Sequence, residues 1–204
     1  MIGSHQIFSA YGFWLPNDPR GSCSDFVRKF EIFRLGRATR TGERRSVAKL
    51  EHDRELRKRA KEELRYPPVT FDGIQARAIG RGFAEYAARS KIIVWACSIL
   101  PDHVHMVLGP MKIDIERAVG QFKAAATRQL IAEGLHPFAA YAKEGQTPPC
   151  CWARKGWTVF LDDVEDACHS IDYVEQNPVK EGKPQQRWSF VVPFVSGSPQ
   201  ESAG

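Results

Sequence analysis

The sequence predicts an α+β fold whose elements follow one another in the order β-α-β-β-α-β. The most strand-like run of the chain, residues 91–100, is followed after a Pro-Asp turn by residues 103–108, which alternate polar and apolar side chains. Helix caps at Asp72 and Asp114 place one helix before this antiparallel pair and one after it. This order is the ferredoxin-like plan, a four-stranded antiparallel sheet with helices on one face.

The first half of the chain begins with a strand predicted over residues 5–15, followed by a loop rich in Pro and Gly. Asp72 and Gln75 have the spacing of a capping box, which predicts a helix that runs to about Arg89. The strand and helix supply the first β and α of the predicted order.

The second half supplies the remaining helix and strand. Asp114 is the predicted cap of a helix that runs to Glu133, with Gly134 placed to end it. Residues 152–161 are predicted to form the last strand, and one further helix is appended to the plan.

We expect this last helix to begin at Asp162, which has Glu165 three residues later, and to end at Asn177 because Pro178 follows. The helical period of 3.6 residues gathers an apolar anchor, which comprises Val164, Cys168 and Ile171.

The same period places Tyr173 nearly opposite that anchor, with Asn177 one turn beyond it. A phenol and an amide oxygen are thus predicted to be presented together. Taken in isolation, the segment favours a surface aromatic residue and an ordinary helix terminator.

Two histidines stand in the second strand of the predicted pair. Because successive side chains of a strand point to opposite faces, His103 and His105 share one face, and Val104 and Met106 point into the core. Two adjacent imidazoles predict a divalent metal site on the sheet. The alternative is a pair of polar residues on the solvated face of an amphipathic strand.

Composition predicts one globular domain over residues 1–195 and a disordered tail at 196–204. The chain has 204 residues, of which 43% are hydrophobic and 26% charged. It shows no apolar run long enough to span a bilayer and no signal-peptide pattern, so we expect a cytoplasmic protein, associated with the nucleoid when bound to DNA. Five cysteines without paired spacing suggest neither a disulfide framework nor a zinc ribbon.

Positive charge is concentrated in a helical insertion expected at about residues 24–66. Between Arg28 and Arg65 there are fourteen Lys or Arg residues against seven Asp or Glu, whereas the whole chain carries +5. This concentration favours contacts with phosphates. Intrahelical ion pairs on a solvated helix are an equally good interpretation.

Two strings of the sequence resemble the HUH single-tyrosine transposases, the group that includes the insertion-sequence 200/605 type and the REP-associated tyrosine transposases. They are Pro101-Asp102-His103-Val104-His105 and Tyr173-Val174-Glu175-Gln176-Asn177-Pro178-Val179-Lys180. The segment Tyr11-Gly12-Phe13-Trp14-Leu15-Pro16-Asn17-Asp18-Pro19-Arg20 is similar to the opening of one branch of the group. Asp102, where asparagine is commoner, and Glu175-Gln176, where a more apolar pair is usual, depart from the pattern.

The resemblance implies a role for each matched residue. His103 and His105 would be metal ligands, Tyr173 the nucleophile and Asn177 the candidate third ligand, with Glu175 or Gln176 left as alternatives. The resemblance also implies a divalent cofactor, Mg²⁺ or Mn²⁺, which suits imidazole and oxygen ligands completed by water. A phosphotyrosine bond would store the energy of the broken phosphodiester, so no nucleotide cofactor is needed.

Single-stranded DNA, with hairpin elements beside the cleavage point, is the substrate we expect. Aromatic side chains that could stack on unpaired bases are Phe13, Trp14, Trp152, Trp157 and Trp188. Further candidates for DNA contact are Arg20, Lys123, Arg128, Arg154, Lys155 and Arg187.

These features together predict a metal-dependent, single-strand DNA endonuclease and strand transferase, a transposase that acts through a 5′-phosphotyrosine intermediate. One alternative is a binding protein for hairpins or single strands that keeps the fold without the chemistry. Another is a non-haem iron or cupin-like enzyme, which would need a further His or carboxylate ligand. The sequence is compatible with a monomer or a homodimer. In a dimer, Tyr173 could act in its own site or in the site of the partner.

Overall fold

Four strands form one sheet in which every pairing is antiparallel, in the spatial order β2-β3-β1-β4. The computed structural model describes residues 1–22, 24–40 and 51–195. The strands are β1 (Gly3–Ala10), β2 (Val94–Ile99), β3 (His103–Leu108) and β4 (Trp152–Leu161). The helices are α1 (Phe30–Arg34), α2 (Arg54–Glu62), α3 (Gly73–Ser90), α4 (Ile115–Ala132) and α5 (Val164–Lys180), with a short 3-10 turn at Ala139–Tyr141. The predicted α+β, ferredoxin-like order is confirmed.

Helices α3 and α4 cover one face of the sheet. Phe8 and Val104 point from the strands into the core between sheet and helices, where they join Phe83 of α3 and Phe122 of α4. The predicted cap at Asp72 is confirmed, since its side chain accepts from the backbone N–H of Gln75 and the Gln75 side chain accepts in return. Asp114 likewise caps α4.

Helix α5 lies on the opposite face, so the sheet is covered on both sides. Ala167 and Val174 of α5 are buried against Trp95 and Val107 of the two neighbouring strands β2 and β3. Helix α5, which carries Tyr173, therefore packs on the face of the sheet that bears His103 and His105. A single site formed by these three residues requires this arrangement.

The predicted ends of α5 were wrong at both termini. The cap is Asp163, whose side chain accepts from the N–H of Asp166. Pro178 lies within the last turn, where its missing N–H removes only one bond. The helix continues to Lys180, and Gly182, whose φ of +69° allows a Schellman motif, closes its end. In it, the N–H groups of Gly182 and Lys183 donate to the carbonyls of Val179 and Pro178.

The predicted apolar anchor of α5 is confirmed only in part, since Ile171 packs against the cluster that α5 forms with the sheet. Val164 is 45% exposed and Cys168 is exposed, whereas Ala167, Val174 and Asn177 are buried.

The first strand is shorter than predicted. It ends at Ala10, because the chain turns at Gly12 with a φ of +78°, a conformation that favours glycine. A self-contained loop follows, in which Asp18 and Arg20 are buried and joined by two charge-assisted hydrogen bonds of 2.7 Å.

Two helices, α1 and α2, form within the predicted basic insertion, and Asp53 caps the second of them. Residues 41–50 of the insertion and the predicted disordered tail at 196–204 lie outside the described residues. No helix of the described ranges is both long and apolar enough to cross a membrane.

Candidate active site

The sheet register brings three histidines to the face covered by α5. His105 is paired with Ile7, His103 with Ser9, and His5 with Val107. Since directly paired residues of an antiparallel sheet point to the same side, His5, His103 and His105 share this face. Strand alternation thus places His103 and His105 together, as predicted.

Tyr173 reaches the same place from α5. Its ring centroid lies 5.5 Å from that of His105 and 5.9 Å from that of His5. The rings of His103 and His105 are 4.9 Å apart. Tyr173 is 40% exposed, so its hydroxyl is accessible beside imidazoles that are largely buried. The structure therefore gathers His103, His105 and Tyr173 into one site.

The sequence reasoning missed His5. Its Nε2 atom lies 2.9 Å from Nδ1 of His105, and both side chains are buried. The only local signal was a histidine at an alternate position of β1, in phase with Ile7 and Ser9. Its meaning depends on the pairing of β1 with β3, which no local pattern reveals.

Burial keeps two of the imidazoles neutral. Burial lowers the pKa of His5 to about 4. It also takes the pKa of His105 well below its usual range, and repulsion from positive charge on His103 and His5 lowers the pKa of His105 further. Neutral imidazole is the form that ligates metals. His103, less buried, has its Nδ1 atom 2.7 Å from the carboxylate oxygen Oδ1 of Asp102.

The predicted metal ligands comprise the two histidines of β3 and Asn177 of α5. Asn177 is buried one turn after Tyr173, and among the described residues its Nδ2 atom has no hydrogen-bond partner. In the described ranges, no group of three or more His, Cys, Asp or Glu side chains is arranged to hold a metal. The rings of His103 and His105 are close enough to share one ion completed by water. The role of Asn177 as third ligand, and Mg²⁺ or Mn²⁺ as the ion, stay predictions.

The basic insertion extends to this site. The sequence did not indicate which residue of the insertion would lie there. The ring of Phe13 stacks on that of His103, with centroids 5.2 Å apart and planes within 5°. Nζ of Lys61 in α2 lies 5.7 Å from the centre of the Phe13 ring. Burial and the nearby Arg57 lower the pKa of Lys61. A layer of cation, aromatic ring and imidazole thus connects the insertion to the histidine face.

A cleft of about 1470 Å³ opens beside the site and is lined by His5, His103, His105 and Tyr173. Of the residues predicted to contact DNA, it gathers Phe13, Trp14, Trp152, Trp157, Lys123, Arg128, Arg154 and Lys155. Arg20, Arg187 and Trp188 are not among its lining residues. Trp188 packs on Gly80 of α3 instead.

Three of the basic residues predicted to contact DNA already have protein partners. Nζ of Lys155 lies 3.1 Å from Oδ2 of Asp25. Arg20 is bound to Asp18 and lies 3.9 Å from the centre of the Trp14 ring. Lys123 is largely buried, donates to the carbonyls of Ala153 at 2.9 Å and Arg154 at 3.3 Å, and has its pKa lowered to about 8 by burial. Their contacts with DNA stay predictions.

Comparison with known proteins gives one match in sequence. No family model matches the chain. A curated relative from Haemophilus influenzae, named as a REP-associated tyrosine transposase, is 32% identical over 93 residues. The match covers 43% of this chain and 49% of the relative, so the chain spans about half the length of the curated relative.

Two solved structures are similar at lower levels. One is a REP-associated tyrosine transposase bound to a REP hairpin, with a TM-score of 0.47 and 14% identity over 93% of this chain and 74% of that chain. The other, described as a transposase from Deinococcus radiodurans, has a TM-score of 0.39 and 13% identity over 86% of this chain and 89% of that chain. The sequence match confirms the resemblance predicted from the motifs: this chain is similar to REP-associated tyrosine transposases.

Proposed function

We propose that this chain is a metal-dependent, single-strand DNA endonuclease and strand transferase of the transposase class. The observation that carries the proposal is the position of Tyr173, half-exposed beside His105 and His5 at the edge of an aromatic and basic cleft. The similarity to a relative named as a REP-associated tyrosine transposase supports the same class of activity.

In this proposal, Tyr173 is the nucleophile. Its hydroxyl oxygen forms a bond to the scissile phosphorus, and the phenolic proton is lost. The bond from phosphorus to the 3′-oxygen breaks, so that the downstream fragment stays joined to Tyr173 through its 5′-phosphate. The upstream fragment leaves with a 3′-hydroxyl after its oxygen takes up a proton. Attack by the 3′-hydroxyl of another strand reverses the step and rejoins the DNA.

The surrounding residues orient this reaction. Nζ of Lys180 lies 4.8 Å from the centre of the Tyr173 ring, where its charge holds the ring and favours the developing phenolate. His103, His105 and Asn177 would hold the divalent ion. When bound, the ion would neutralise charge on the non-bridging phosphate oxygens and on the leaving oxygen.

The cleft suits an unpaired strand. Trp14 and Trp157 lie edge to face, with ring centroids 6.5 Å apart, and offer surfaces on which bases can stack. Exposed Arg154 and Lys155 also line the cleft and can contact phosphates, Lys155 by exchanging its ion pair with Asp25. An extended strand with hairpin elements at its side is the substrate proposed for this surface.

Trapping of labelled DNA on the protein tests the proposal. Single-stranded DNA from the flanks of the gene, labelled at its 5′ or 3′ end, is mixed with protein in Mn²⁺ or in EDTA and denatured. We expect a Mn²⁺-dependent covalent adduct that carries the label of 3′-labelled DNA but not that of 5′-labelled DNA, and that disappears in Tyr173→Phe. Tyr141→Phe, which changes an exposed tyrosine elsewhere, should leave the adduct unchanged.

Binding of the same DNA separates the remaining outcomes. Tyr173→Phe should bind it as tightly as the unchanged protein, because only the hydroxyl is removed. If DNA is bound but no adduct forms with Mn²⁺, the chain is a hairpin or single-strand binding protein. An adduct that persists in Tyr173→Phe would show that the nucleophile is another residue.

A further inference from the structure

We propose that His5 is a positioning residue that accepts a hydrogen bond from Nδ1–H of His105 and thereby leaves Nε2 of His105 free for the metal ion. The inference rests on the proposed function, since it concerns the metal site of the same reaction. It assigns a role to a strand residue that lies outside the strings on which the resemblance rests.

The contact between the two rings is specific. Nε2 of His5 lies 2.9 Å from Nδ1 of His105, within the usual range for a hydrogen bond between nitrogens. The side chains are only 6% and 5% exposed, so water does not compete for these atoms. The pairing of Ile7 with His105 and of His5 with Val107 makes the two histidines diagonal neighbours across β1 and β3.

The direction of this hydrogen bond determines which nitrogen can hold a metal. A neutral imidazole carries one N–H and one free lone pair. If His105 carries its proton on Nδ1, that proton is donated to His5 and the Nε2 lone pair is available. If His5 donated instead, His105 would carry its proton on Nε2 and could not bind a metal through that atom.

The same arrangement recurs at the other histidine. Nδ1 of His103 lies 2.7 Å from Oδ1 of Asp102, which can only accept while it is ionised. Both histidines of β3 thus have Nδ1 engaged by an acceptor, and both keep Nε2 for a ligand. Metal-binding histidines are commonly held in this way, and loss of such a partner lowers metal affinity about 10- to 100-fold.

The protonation pattern can be observed without DNA or catalysis. In uniformly ¹⁵N-labelled protein at pH 7, long-range ¹H–¹⁵N spectra distinguish the two ring nitrogens of each histidine. We expect His105 to be protonated at Nδ1 and His5 to be unprotonated at Nε2, and Tyr173→Phe to show the same pattern. Protonation of His105 at Nε2 would overturn the inference.

Metal affinity supplies the second test, with Mn²⁺ alone as the probe and isothermal titration as the measurement. His5→Phe keeps a ring but removes the acceptor, and we expect it to weaken Mn²⁺ binding by about 10- to 100-fold. His5→Gln places a carboxamide oxygen near the same position and should recover most of the loss. Thermal unfolding followed by circular dichroism verifies that each variant is folded.

The outcomes separate this inference from the proposed function. Unchanged Mn²⁺ affinity in His5→Phe would overturn the role of His5 and leave the function standing. Absence of Mn²⁺ binding in the unchanged protein would contradict the metal-dependent function itself. If His5→Phe does not fold, the role of His5 is tested by the ring-nitrogen spectra of the unchanged protein and by the Mn²⁺ affinity of His5→Gln. A Zn²⁺-induced shift of Nε2 of His5 that marks direct coordination would make His5 a ligand and overturn the positioning role.

Discussion

The ring centroid of Tyr173 lies 5.5 Å from that of His105, although the two residues are far apart in the chain. Tyr173 belongs to α5 and His105 to β3, and α4 and β4 lie between these elements in the sequence. The contact exists because α5 packs on the histidine face of the sheet, opposite α3 and α4. The proposed nucleophile on a helix and the proposed metal ligands on a strand are therefore close enough to act on one phosphate.

Lys61 provides a test of whether the basic insertion contributes to DNA binding. It lies over Phe13 beside the histidine face, so we expect Lys61→Gln to weaken binding of single-stranded DNA by a similar factor for every sequence. Loss of one phosphate contact should also reduce the slope of log affinity against log salt by about 0.7. Fluorescence anisotropy at several salt concentrations measures both quantities.

Arg59→Gln is the matched control for Lys61. Arg59 is exposed on the same helix, two residues away and therefore on a different side. It should leave affinity and salt slope nearly unchanged. Equal effects of the two substitutions would mean that the insertion acts through its overall charge and not through Lys61.

Lys123 gives the protein a pH-dependent stability at alkaline pH. Its pKa is about 8 in the folded protein, because of burial, against 10.5 for an unperturbed lysine. Between these values the unfolded chain holds more protons, so the free energy of unfolding rises as the pH increases from 8 to 10.5. The contribution over this window is on the order of 2–3 kcal/mol.

Urea unfolding at pH 7.5 and pH 10 measures this increment. Lys123→Met should remove it, whereas Lys112→Met, at an exposed position, should retain it. Because other groups titrate in the same range, the relevant quantity is the difference between each variant and the unchanged protein. An increment that survives in Lys123→Met would show that another group causes it.

Two glycines in the paired helices should respond oppositely to alanine. A Cβ atom at Gly82 of α3 would lie 2.7 Å from the backbone oxygen of Ala125 in α4, so Gly82→Ala must force the helices apart. We expect a loss of about 1–3 kcal/mol in the free energy of unfolding. Gly120 of α4 has open space around it, and Gly120→Ala should gain about 0.5–1 kcal/mol through better helix propensity. Chemical denaturation measures both, and a neutral Gly82→Ala would contradict the close helix contact.

The sequence by itself determined those features that depend on neighbouring residues. The caps at Asp72 and Asp114, the strands at 103–108 and 152–161, and the shared face of His103 and His105 were all predicted correctly. Capping groups lie within one helical turn of the atoms they bind, and strand alternation needs no partner.

The tertiary structure alone decided the features that depend on a distant partner. His5 entered the site only through the register of β1 against β3, and Lys61 only through the docking of the insertion on Phe13. The buried side of α5 was set by the shape of the sheet beneath it, which a helical period does not contain. Pro178 did not end α5, because the missing N–H falls in its last turn, and Gly182 completes the helix end instead. Local chemistry therefore determined the elements and two of the three histidines, whereas packing between elements far apart in the chain decided how the site is completed.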